Sequence, residues 1–134
     1  MRELTSLMIL SAELERRSVG ANDEATTQLE AGLQKVGLMY KKVKGVYKGR
    51  AGESFVVTTP TASDELAVYK LAEYFGQESV LFVNKLRDAE LYNFTEDQFE
   101  LLGKLTAVSE SAAKSSDSYT FDPISGSYFT IKPI

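Results

Sequence analysis

The chain contains neither cysteine nor histidine. Without cysteine there is no disulfide framework, no thiolate nucleophile and no support for an oxidising compartment. Without histidine the chain lacks the usual base of a Ser or Cys triad and the side chain that titrates near neutrality, and without either residue it lacks the common zinc ligands. Catalysis, if present, must run on carboxylates, Tyr, Lys, main-chain groups or the substrate's own atoms, so no metal and no cofactor is expected.

Positive charge is also scarce. A net charge of −4 and a pI near 4.9 argue against a phosphate-tracking surface, so nucleic acid is not an expected partner. The basic cluster Lys41, Lys42, Lys44, Lys48 and Arg50 is local and reads either as a solvated strand face or as a surface for an anionic ligand. No long hydrophobic run is present: the segment from Met1 to Ala12 is too short for a membrane span and for a signal peptide, and reads as a buried strand. No membrane partner is expected, and the location expected is the cytoplasm. Apolar residues at 43% and charged residues at 25% are ordinary for a globular protein, and 134 residues make one domain, 1–134.

Periodicity and capping signals divide the chain. Leu4 to Ala12 is a continuous apolar run suited to a central strand. From Asn22, a candidate N-cap followed by Asp23 and Glu24, the residues Ala25, Leu29, Leu33 and Val36 recur at helical spacing until Gly37. Leu38 to Lys48 and Ser54 to Thr59 read as an antiparallel pair around a glycine-rich turn, Gly49 to Gly52. Thr61 or Ser63 caps a second helix with Leu66, Tyr69, Leu71, Ala72 and Phe75 on its apolar face. Ser79 to Val83 and Ala89 to Phe94 are further strands. This order predicts a ferredoxin-like β-α-β-β-α-β sandwich of the α+β class, an antiparallel sheet with two helices on one face, as a core over 1–94. In the extension, 95–134, Thr95 to Lys104 reads as a short helix capped by Thr95 with Gln98 in the capping box. Val108 to Ser118 reads as a surface loop, and Tyr119 to Asp122 with Tyr128 to Lys132 as a terminal hairpin.

Chemically suggestive residues concentrate between Gly45 and Phe55. No phosphate-binding loop is present, because Gly45, Gly49 and Gly52 lie between two strands and no Gly-Lys-Ser/Thr follows. These glycines serve either turn geometry or the close approach of main-chain N–H groups to a ligand. Glu53 leads into an apolar strand, where a carboxylate can grip an ammonium or sulfonium group and the nearby Tyr47 phenol can stack on it. The competing reading is a surface ion pair of Glu53 with Arg50 or Lys48. The adjacent acids Asp64 with Glu65 and Glu96 with Asp97 read as first-turn residues interacting with helix dipoles.

A strand ending in Ser11-Ala12 precedes Gly45-Val46-Tyr47-Lys48, then Glu53-Ser54-Phe55, then Phe75-Gly76-Gln77-Glu78-Ser79-Val80, and the chain closes on Tyr119-Thr120-Phe121-Asp122, Gly126 and Tyr128 to Ile131. This series resembles the phage S-adenosylmethionine lyases and related small phage and bacterial proteins, over most of the chain. The resemblance implies a homo-oligomer, specifically a trimer, with the ligand held between neighbouring subunits. It implies conversion of S-adenosylmethionine to methylthioadenosine and homoserine lactone by attack of the substrate's carboxylate on its own γ-carbon, countering host restriction and modification from within the host cytoplasm. Carried over by position, Glu53 and Tyr47 are the catalytic pair that holds the charged amino-acid end, Ser11, Ala12 and Glu13 meet the adenosine, and Gln77 is a further polar contact. Two other readings stand beside it: a non-catalytic counter-defence protein that sequesters a nucleotide-like ligand or binds a host protein, and an oligomeric structural domain.

Overall fold

The computed structural model describes residues 5–13, 18–47 and 50–133. Among them run β1 (Leu7–Leu10), α1 (Val19–Lys35), β2 (Tyr40–Tyr47), β3 (Arg50–Thr58), α2 (Ala62–Tyr74), β4 (Ser79–Val83), β5 (Asp88–Asn93), β6 (Gln98–Val108), α3 (Glu110–Ser115), β7 (Tyr119–Asp122) and β8 (Ser127–Lys132). The strands form a closed barrel in the order β1-β3-β2-β7-β8-β6-β5-β4, antiparallel throughout.

This architecture overturns the expected ferredoxin-like sandwich. Residues 7–83 do run strand, helix, strand, strand, helix, strand, but the sheet does not end at β2 and β4. β2 pairs onward with β7, β4 with β5, and the chain of pairs closes through β6 and β8. Closure satisfies the main-chain donors and acceptors that two open edges would expose. Two expected elements change with it: Thr95 to Lys104 is not a helix but a tight turn leading into β6, and Val108 to Ser118 carries the end of β6 and α3 rather than a loop alone. The pair Glu96 and Asp97 consequently lies in that turn, where Asp97 has φ 52°, and not at a helix start.

Strand alternation sorts the side chains into two sets. One side of β1, β3 and β4 presents Met8, Leu10, Phe55, Val57 and Val80 to the helices, where they pack with Ala25, Leu29 and Leu33 of α1 and Val68 and Ala72 of α2. Each fully buried Leu or Val in this layer stabilises the fold by roughly 1.5–3 kcal/mol. The other side turns Leu7, Ile9, Val43, Val56, Leu105 and Phe129 into the barrel. α1 starts from Ser18, whose hydroxyl accepts from Ala21 N–H at 3.2 Å, one turn before the expected Asn22; Asn22 is instead buried inside the helix. α2 starts at Thr61, which forms a reciprocal capping box with Asp64.

A β-bulge between Ala89 and Glu90 lets β5 and β6 bend round the barrel. At the same corner Gly103 adopts φ 144°, and a Cβ there would lie 2.1 Å from the Lys132 carbonyl oxygen. Only glycine fits where β6 is pressed against the end of β8.

Candidate active site

β1 runs out into Ser11, Ala12 and Glu13 at the barrel end where β3 carries Glu53, and the link from α2 to β4 brings Gln77 alongside. Ser11 connects two of these segments: its hydroxyl donates to the Glu53 carbonyl at 2.9 Å and accepts from the Glu13 N–H at 3.0 Å. The Glu13 carboxylate turns back and accepts from the Glu53 N–H. Gln77 completes the network by donating its side-chain amide to the Glu13 carbonyl at 3.1 Å.

Both main-chain groups of Glu53 are therefore held by the segment after β1, one of them by a charged acceptor, a bond type that contributes about 1.5–3 kcal/mol when partly shielded. Gly52 makes the approach possible, because a Cβ there would stand 3.3 Å from both Glu13 carboxylate oxygens. It lies inside β3, opposite Gly45 in β2, and not in the turn to which its composition pointed. Ala12, 1% exposed, roots the segment in the helix-side core next to Phe55.

Four of the six residues singled out from the sequence, Ser11, Glu13, Glu53 and Gln77, thus join in one hydrogen-bonded network, and Ala12 lies between two of them. None of the described side chains pairs with the Glu53 carboxylate. The side chains of Lys48 and Arg50, the partners of the surface ion-pair reading, lie outside the described residues, as does the side chain of Tyr47. The Tyr47 main chain pairs with Arg50, three rungs along the ladder from the Lys44–Glu53 pair. Among the described residues no group of acidic side chains is placed to hold a metal ion, and no helix is long and apolar enough to cross a membrane.

The sequence profile of the S-adenosylmethionine lyase family matches residues 8–132. The chain belongs to that family. The match runs from β1 through β8, so it takes in the Ser11–Glu53 network and the whole barrel wall. S-adenosylmethionine is the substrate that membership of this lyase family implies. No curated protein matches the chain.

One charged pair of this lyase-family chain went unread in the sequence. Lys41 donates to Asp122 at 2.8 Å at the far end of the barrel, and the ammonium, helped by the Ile124 N–H, holds the Asp122 carboxyl below the usual carboxylate range. The two residues are 81 apart in sequence, and only the β2–β7 register brings them together.

Proposed function

We propose that the chain is a phage-type S-adenosylmethionine lyase that releases methylthioadenosine and homoserine lactone. The substrate carboxylate oxygen forms a bond to the γ-carbon as the bond from that carbon to sulfur breaks. The electron pair leaves on sulfur, which becomes a neutral thioether, and no proton is transferred. Chemistry of this kind suits a chain without histidine or cysteine. The protein's task is to fold the amino-acid arm into attack geometry and to exclude water, where neutralisation of carboxylate by sulfonium is most favourable.

The observation that carries this reading is the network joining Ser11, Glu13, Glu53 and Gln77 at one end of the barrel. With its main chain clamped, Glu53 can present a carboxylate to the substrate ammonium at little further cost in entropy. Tyr47 flanks the same amino-acid end. The main chain around Ser11, Ala12 and Glu13 meets the adenosine, and Gln77 acts as a positioning residue through its bond to Glu13. The site is shared between neighbouring subunits of a trimer, and depletion of the methyl donor in the host cytoplasm opposes restriction and modification.

Incubation of the purified chain with S-adenosylmethionine, followed by chromatography, is expected to yield methylthioadenosine. A rise in thermal stability without product would instead favour a non-catalytic protein that sequesters the ligand. Neither product nor stabilisation would remove both readings.

A further inference from the structure

Opposite the Ser11–Glu53 network, the barrel opens into a cavity of about 400 Å³. Leu7, Ile9, Val43, Val56, Leu105 and Phe129 wall it with apolar surface. Charge is confined to its lining at Lys41, Asp122 and Arg87, two cations against one anion. The Lys41 side chain is half exposed while it bonds Asp122 at 2.8 Å. The Arg87 guanidinium is fixed by donation from Nη1 to the Thr5 carbonyl at 2.9 Å, and none of the described carboxylates forms an ion pair with it. A guanidinium has about five donors, so this anchoring leaves capacity for an anion. Thr58 and Thr120 add hydroxyls to the same lining.

The geometry points to a second ligand site inside the barrel, for a small amphipathic carboxylate of the medium-chain fatty-acid class. Its apolar tail lies among Ile9, Val56, Leu105 and Phe129, and its carboxylate lies between Lys41 and Arg87. Orientation separates it from the proposed lyase site: Glu53 shares its face of β3 with Phe55 and Val57, which pack against the helices, whereas Val56 and Thr58 on the other face line the cavity. Along β3 the lining extends away from Glu53 as far as Thr58, five residues or about 17 Å at the rise of a strand. A closed barrel with an apolar lining and a few polar groups at its mouth is a form in which small ligands are commonly held. This inference does not depend on lyase activity.

The test is calorimetry of the full chain with sodium octanoate, against octylammonium as a probe of equal tail and opposite charge. Octanoate is expected to bind one molecule per chain, about tenfold or more tighter than octylammonium. Val43→Phe and Leu105→Phe fill the cavity, and whichever retains the wild-type circular dichroism should bind octanoate about tenfold more weakly. On the wild-type chain, intermolecular NOEs from octanoate should reach Ile9, Leu105 and Phe129. Absence of saturable binding up to roughly millimolar octanoate, equal affinity for octylammonium, undiminished binding by a folded variant, or NOEs confined to the outer surface would overturn the proposal.

Discussion

Glu53 is anchored through its main chain, by Ser11 on the carbonyl and Glu13 on the N–H, so its side chain can be changed without dismantling the network. Glu53→Gln should therefore retain the wild-type unfolding midpoint while kcat/KM for S-adenosylmethionine falls on the order of 10- to 100-fold, the cost of losing one charged hydrogen bond to the ligand. Unchanged turnover in that variant would show that Glu53 does not grip the substrate. The Lys41–Asp122 pair makes a different prediction, about stability. The Asp122 carboxyl is held low in the folded state, first by the Lys41 ammonium, so its contribution is present above the ordinary carboxylate pKa and is lost as pH falls through the depressed value. Lys41→Met should lower the urea midpoint at neutral pH and leave a smaller difference from wild type at roughly pH 3, below the ordinary value for Asp. Ser11, Glu53 and Gln77 stand out as candidates because short motifs carry them, whereas Glu13 enters only as the residue that follows Ser11-Ala12. Asp122 does not stand out, because a lone acid in a terminal hairpin gives no sign that a strand far away in sequence will place an ammonium beside it.

Among the elements, the two long helices announce themselves most clearly. α2 has its cap, its acidic first turn at Asp64 and Glu65 and a stop before Gly76 within one stretch of chain. α1 shows how a signal can be shifted: Asn22 has the chemistry of a cap, yet Ser18 takes that position and Asn22 is buried. β6 was misread because Thr95 and Gln98 imitate a capping box. The residues beyond them, Phe99 and Leu101, instead alternate along a strand that pairs with β5 on one side and β8 on the other. Pairing with β5 from Gln98 to Lys104 outweighs a local cap worth about 1 kcal/mol. The corner that makes the double pairing possible is Gly103. Gly103→Ala must relieve both a positive φ and a clash with the Lys132 carbonyl, and should destabilise the chain by about 2–3 kcal/mol or more in urea titration, with broadened amide resonances along β8. A neutral outcome would mean that the β6–β8 corner is not packed as described.

At the scale of the molecule, the closed barrel was the least legible feature. Residues 7–83 are consistent with an open sheet, and closure depends on the pairs β2–β7, β5–β6 and β6–β8, which no local pattern specifies. The barrel wall away from α1 also leaves Phe99 and Leu101 more than half exposed, at 55% and 57%. These residues adjoin the ring cluster of Tyr69, Tyr92 and Phe94. Apolar surface of this kind is compatible with burial between subunits. For the proposed site shared between three subunits, light scattering should return the mass of a trimer, whereas a strict monomer would contradict that proposal. The most direct test of the central claim is turnover of S-adenosylmethionine in ¹⁸O-enriched water, with the four-carbon product examined by mass spectrometry at early times. Attack by the substrate's own carboxylate predicts homoserine lactone in step with methylthioadenosine and without ¹⁸O. Homoserine carrying ¹⁸O as the first product, or no methylthioadenosine at all, would contradict it.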